Sequence, residues 1–273
     1  NHPFHHSLIG SFEDLDAASL PDVSEFFATY YTPDNAVLSL AGDLERVEAI
    51  ALIETYFGAI PRGSGKPPLA DTSLPPVFGA PLREVVRDNV SLPRVYLAFR
   101  SPPFGSPGHY AAAVCATILG TRKTSRLQRS LIREKRVAAE ASAFTFDLAK
   151  GADLLVLDVL ALLGVSADTL EAAVLEEVER IHRDGVTDEE VARAIALIET
   201  GWTLSMESAT DRADKLSMFA TYFGDPSLVN EQPDKYREVT SESVSRFARE
   251  RLGPDNRATL LYVQAETAAQ VAA

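Results

Sequence analysis

The stretch that decides the fold is "DVSEFFATYYTPDNAVLSLAG" (22–42), because the chain writes it a second time as "SVSRFARERLGPDNRATLLYV" (243–263). The two register without a gap at an offset of 221, pairing Val23 with Val244, Ser24 with Ser245, Phe26 with Phe247, and Pro33-Asp34-Asn35 with Pro254-Asp255-Asn256. Each reads as a helix, a Pro-Asp-Asn turn and an apolar, β-prone run. A spacing this long is foreign to solenoids, whose periods run about 20–50 residues, so the repeat implies a duplicated domain of near 200 residues. The second turn has residues 81–253 in front of it and the first only residues 1–32. The duplication therefore predicts that about 140 residues of the first copy lie upstream of Asn1.

The pattern between the repeats sets the domain boundaries. Residues 14–31 read as a helix, 35–41 as a strand and 44–59 as a second helix. The segment "PRGSGKPPLADTSLPPVFGAP" (61–81) then breaks every periodicity with prolines and glycines. We expect 1–60 to be the C-terminal remnant of the first domain, 61–80 a linker and 81–273 the second domain. The second domain opens with strand-like runs, "LREVVRDNV" and "LPRVYLAFR", followed by helices at 108–119 and 124–136. Two strands joined at Lys150-Gly151 read as a hairpin. Helices follow at 167–184, from a Thr187/Glu190 capping box through Trp202, at 209–222 and at 241–252, with a last strand at 257–263. Strands in two groups separated by blocks of helices predict an α+β fold, a largely antiparallel sheet with helices packed on one face.

Composition narrows the function classes. With 46% hydrophobic and 24% charged residues the chain has the make-up of a soluble globular protein. Its formal charge of −13 argues against nucleic acid and anionic membranes as partners and favours basic peptides. No stretch approaches the roughly 18 uninterrupted apolar residues of a membrane span. A bacterial cytoplasm or periplasm would suit it equally. The single cysteine, Cys115, excludes an internal disulfide and reads as a buried apolar group.

Candidate chemistry is sparse. "HPFHH" places His2, His5 and His6 together, but His5 stands where H-x-x-E-H has its glutamate base, and Pro3 opposes the helix that would present two ligands on one face. His109, at a helix start, and His182, at a helix end, read as surface or cap residues. Trp202, Phe219 and Tyr222 read as core packing. There is no G-x-S-x-G, no phosphate-cradling glycine loop and no redox cysteine pair. No complete active site and no metal ligand set are expected in this segment. One stretch stands apart: Arg122, Lys123, Arg126, Arg129, Arg133, Lys135 and Arg136 crowd fifteen positions of an acidic chain. It reads as a cationic surface facing a partner domain or a peptide carboxylate, with Arg133 the best candidate to grip a peptide carbonyl or C-terminus.

The order of "HPFHHSLIGSFEDLDAAS", "FFATYYTPDNAVLSLAGDLE", the Pro-rich linker, "ILGTRKTSRLQRSLIREKR" and "DGVTDEEVARAIALIE" resembles the pitrilysin/insulinase family of zinc metallopeptidases, close to bacterial members related to mitochondrial processing peptidase. The resemblance implies two homologous α+β domains paired as a clamshell. It implies an H-x-x-E-H zinc motif in the first domain, upstream of Asn1, with zinc as cofactor of the full-length protein. It also implies a second domain that lends an arginine and a tyrosine, seven residues apart, to the peptide. Here Arg133 matches the arginine, Val137 stands at the usual glycine and Glu140 at the usual tyrosine. The function implied is the C-terminal, substrate-binding part of a zinc endopeptidase for unstructured peptides. The alternative is an inactive scaffold or partner subunit of the same fold, and a homologous subunit joins peptide and the missing domain among the expected partners. Glu140, in phase with Ser142, Phe144, Phe146 and Leu148, is expected on an inward-leaning face and salt-bridged to Arg133 or Arg136.

Overall fold

The computed structural model describes residues 2–5, 7–63, 65–67 and 69–265. Chain contacts divide it into two compact units, 1–72 with 201–232, and 73–200 with 233–273. The sequence reading kept 201–232 with the second domain. In the structure this stretch groups with the N-terminal segment.

In the first unit, α1 (Phe12–Ala17) and α2 (Leu20–Tyr30) replace the single helix expected over 14–31. Ser19 interrupts it: its hydroxyl accepts from the Asp22 amide while the Asp22 carboxylate takes the Ser19 amide, a capping box with Pro21 in the first turn. Pro33–Asn35 form a 3-10 turn and α3 spans Arg46–Phe57. The strand expected at 35–41 has no ladder partner among the described residues. No residue of α1, α2 or α3 is buried. Phe26, Phe27, Tyr30 and Tyr31 stack on one another at 4.6–6.1 Å between ring centres yet stay half-exposed.

The second unit contains the sheet. Strands β1 (Leu82–Asp88), β2 (Arg94–Ser101), β3 (Ala138–Thr145), β4 (Asp153–Ala161) and β5 (Arg257–Gln264) lie in the order β1-β5-β2-β4-β3. All neighbours are antiparallel except β1 and β5, which run parallel. The predicted hairpin is β3–β4. Period-2 alternation buries one face, with Val95, Leu97, Phe99, Leu155, Leu157 and Val159 fully inaccessible. That face meets α4 (Pro107–Gly120), α5 (Ala167–Asp184) and α9 (Ser241–Arg251). Residues on the other face, among them Arg94, Tyr96, Ala98 and Arg100, remain partly exposed. The remaining helices in chain order are α6 (Asp188–Ser205), α7 (Ala209–Phe223) and α8 (Gln232–Arg237), the last unforeseen in the sequence.

The second Pro-Asp-Asn turn repeats the first in detail. Both are 3-10 turns after a helix with a capping box, Ser19/Asp22 in one and Thr240/Ser243 in the other. In each the asparagine side chain donates to the carbonyl five residues earlier, Asn35 to Tyr30 at 2.9 Å and Asn256 to Arg251 at 2.8 Å. The second half of the linker is not free either. The Arg100 guanidinium donates to the carbonyls of Pro75 and Val77 and lies over the Phe78 ring, and Gly79 N–H bonds Asp255 O.

The close seat of α4 on β3 depends on Gly120, where an added Cβ would lie 1.9 Å from the Ala143 amide nitrogen. Backbone there cannot yield as a side-chain tip could. We expect Gly120→Ala to lower stability by about 3 kcal/mol or more, read as a fall in the urea midpoint at unchanged m-value.

Candidate functional site

The basic stretch folds as a widened helix. Residues Gln128–Glu134 form a π-helical segment in which the Lys135 amide reaches back five residues to Ser130 O at 2.8 Å. Such segments are rare and mark functional positions more often than chance. The widening turns Ser130 inward, where its hydroxyl donates to the buried Glu177 carboxylate at 2.6 Å. The chain then reverses through Arg136, a non-glycine residue at φ 53°. The positive φ falls on Arg136, one residue before the position where the family's motif has glycine, so Val137 carries no left-handed strain.

Part of the cationic surface expected here is neutralised within the chain. Arg126 forms a two-pronged pair with Glu190, Nε to Oε1 at 2.8 Å and Nη2 to Oε2 at 2.7 Å, and also donates to Gly185 O. Lys135 meets Glu176 at 2.6 Å. Arg129 stands 3.7 Å from Glu134. Arg122, Lys123, Arg133 and Arg136 are exposed, and Arg133 donates from Nη2 to Lys123 O at 2.7 Å.

Glu140 departs from expectation. A register irregularity between Ala138 and Glu140 resets the alternation of β3, so that Ala141 and Ala143 turn to the core while Glu140, Ser142 and Phe144 share the open face. Glu140 is exposed and makes no ion pair with Arg133 or Arg136. In water a carboxylate needs no partner. Its charge is felt by Arg94, held against Asp158 at 2.7 and 2.6 Å on the same face.

The histidines also sort themselves. His2 contacts Thr72 O at 3.3 Å and His5 contacts His2 O at 2.9 Å, while His6 lies outside the described residues. His182 Nδ1 meets Ala248 O at 3.1 Å beside the end of α5. His109 is corrected from surface to core: it is wholly buried, and the fold brings Asp147 and Asp153 to it. No local motif announces this trio, because its members come from the first turn of α4 and from both ends of the β3–β4 connection. The one sequence signal is that Asp147 and Asp153 stand on either side of the Lys150-Gly151 turn. Partial loss of water raises the Asp147 carboxyl above its ordinary range, opposed by a hydrogen bond from Thr145 and by His109, although more than half of the side chain meets solvent. Cys115 is buried as expected, and burial pushes its thiol up to about 12, which leaves no nucleophile. Phe219 is core, whereas Tyr222 is half-exposed.

A five-stranded, mostly antiparallel sheet with helices on one face is an α+β layer. The Peptidase M16 inactive domain model matches residues 17–198, and the chain belongs to that family. The zinc protease PqqE of Helicobacter pylori is 26% identical over 222 residues, covering 81% of this chain and 49% of that protein. The β subunit of the mitochondrial-processing peptidase of Saccharomyces cerevisiae is 21% identical, covering 92% and 56%. In fold, the crystal structure of a protease from Helicobacter pylori matches with a TM-score of 0.86 at 22% identity, over 96% of this chain and 62% of that one. A peptidase M16 inactive domain from Pseudomonas fluorescens gives 0.80 at 20% identity, over 97% and 63%. The chain spans about half the length of the curated relatives it matches. Among the described residues no helix is long and apolar enough to cross a membrane.

The Arg126–Glu190 pair, with both side chains more than four-fifths buried, gives a direct test. Burial works to raise the Glu190 pKa, but hydrogen bonds from Arg126 and the Thr187 amide outweigh it and hold the carboxyl below its ordinary 4.5. A depressed acid stabilises fully above its ordinary pKa and loses that contribution as pH falls through the folded value. We expect Arg126→Ala to cost about 2–3 kcal/mol and Arg129→Ala less than about 0.5. Glu190→Gln should flatten the fall in Tm between about pH 5 and 3.

Proposed function

We propose that this chain is the substrate-binding, C-terminal part of a two-domain zinc endopeptidase that cleaves unstructured peptides. The observation that carries the reading is the family match over residues 17–198, joined to the apolar surface that the first unit leaves uncovered. Phe12, Leu20, Val47 and Tyr56 are more than two-thirds exposed, and the run 35–41 lacks a ladder partner among the described residues. Surfaces of that kind mark contact with further protein. On this reading residues 1–60 complete a first domain whose zinc motif lies upstream of Asn1, and 81–273 form its duplicate. The matched capping boxes, 3-10 turns and asparagine bonds at 33–35 and 254–256 support the duplication. Zinc would activate water in the full-length protein, and the residues of "HPFHH" do not fit that task because they lack the glutamate base.

In this segment Arg133 is the residue proposed to bind peptide. Its guanidinium is exposed and steadied by the Lys123 carbonyl, with donors left over for a substrate carbonyl or carboxylate. The peptide would add as a strand beside β3, an outer strand of the sheet. Glu140 favours a second reading, an inactive scaffold or partner subunit, since a carboxylate at the place where the family resemblance implies a tyrosine cannot stabilise an oxyanion. A homologous subunit would then supply the missing group.

With full-length protein and a quenched peptide, alone and with any homologous subunit, Arg133→Ala should lower kcat/KM about 10–100-fold, and Arg133→Lys should restore only part. Wild-type activity that survives Arg133→Ala but vanishes when the partner's arginine or tyrosine is replaced would favour the second reading.

A further inference from the structure

The geometry points to a divalent-metal site inside this segment, formed by His109, Asp147 and Asp153, in which a zinc-like ion clips the β3–β4 connection to the first turn of α4. One donor atom from each residue lies within 4.8 Å of the other two. His109 Nε2 is 3.6 Å from Asp147 Oδ1, and Nδ1 is 3.7 Å from Asp153 Oδ2. Those separations are too long for hydrogen bonds. An ion takes only one ring nitrogen; with bonds to N and O about 2.0–2.2 Å long its neighbouring ligands stand roughly 3.4 Å apart, so one carboxylate is already near that separation and the other, within 4.8 Å, has to close in.

The histidine is the independent sign of a ligand. Its side chain is inaccessible to water, and neither ring nitrogen has a hydrogen-bond partner. A buried polar group left without a partner costs roughly 1–3 kcal/mol, and native folds seldom tolerate one without a reason. The walls hold the ring in place without satisfying it: Phe104 and Tyr110 meet it edge-to-face, with centroids 4.9 and 5.5 Å away.

Both carboxylates are held by further hydrogen bonds, two of them on the oxygens that also face the ring, Asp153 Oδ2 and Asp147 Oδ1. Asp153, also fully buried, accepts from the amides of Leu154 at 2.8 Å and Asp147 at 3.2 Å. Asp147 accepts from the Thr145 hydroxyl at 2.7 Å and holds a left-handed backbone, φ 58°. Partners of this kind fix the direction of metal ligands. Two carboxylates bring negative charge against a ring that is walled off from water, and a dication would cancel it. An imidazole among the donors favours zinc, cobalt or nickel over calcium and magnesium. Asp147 has a side chain 57% exposed, so water can enter on its side and complete the shell. The site shares no residue with "HPFHH" or with Arg133, and it needs no glutamate base because its role is structural.

The test uses the 273-residue chain at pH 7.5, stripped of metal and titrated with Co²⁺ and then Zn²⁺. We expect one Co²⁺ per chain with a visible d–d band, displaced by zinc. Zinc at about 100 times its Kd should raise Tm by about 5–10 °C. Asp147→Asn, at the exposed member, should leave the fold intact and weaken binding at least tenfold. His109→Gln should abolish binding if that variant folds. The triple variant His2→Ala, His5→Ala, His6→Ala should bind as wild type. The inference is overturned if the folded wild-type chain takes up no stoichiometric cobalt or zinc, if Asp147→Asn binds unchanged, or if binding is lost in the triple variant instead.

Discussion

The Arg126 guanidinium joins parts of the second unit that the chain itself keeps far apart. One edge of the fork pairs with Glu190 at the start of α6, and the same Nη2 caps the carbonyl of Gly185 at the end of α5. Behind it, Ser245 of α9 accepts the Val186 amide, and a Cβ at Gly185 would come within 2.4 Å of the Ser245 hydroxyl oxygen. The α5–α6 turn is therefore gripped from two sides, by a charge that follows α4 and by a hydroxyl near the C-terminus. Any residue but glycine at 185, held at φ 70°, would push α9 away. The widened helix beyond Arg126 takes its position from this joint.

The charge distribution acquires a meaning from that arrangement. Seven cations in fifteen residues suggest a surface built for a partner, yet Arg126 and Lys135 are consumed by α5 and α6. The exposed arginines of this stretch sit at its two residues with φ > 0, Arg122 and Arg136, and on the π-helical segment between them, Arg129 and Arg133. The local backbone, more than the count of charges, decides which cation faces outward.

Periodic signals carried the sequence reading far. The 3.6-residue stripes of α5 and α9, the alternation in β2 and β4, and the Thr187/Glu190 capping box all appear where the residues place them. What stayed hidden depends on single-residue insertions or on distant partners. The Ala138/Glu140 irregularity shifts the phase of β3 by one and sends Glu140 to solvent, an event without a periodic signature. The run 35–41 has strand composition and no neighbour among the described residues to pair with, because a ladder needs a second chain segment. His109, Asp147 and Asp153 meet only through the tertiary fold, 38 and 44 positions apart from the histidine, counted as 147 − 109 and 153 − 109. The linker reads as a Pro- and Gly-broken connection by composition, and contacts from Arg100, Arg251 and Asp255 reveal that its second half is docked.

The position of β5 has a consequence for synthesis. It is inserted between β1 and β2, so the strand made first in this sheet and the strand made second meet only through the strand made last. A nascent chain can zip β2, β4 and β3 as they leave the ribosome, while β1 waits without a partner and β2 offers a bare edge. Pairing across so many residues is slow, and an unpaired apolar edge is the part of a folding intermediate most prone to aggregate. A premature stop before Arg257 would leave that edge open for good. A cell carrying such an allele would face a chaperone burden, over and above the loss of the protein itself.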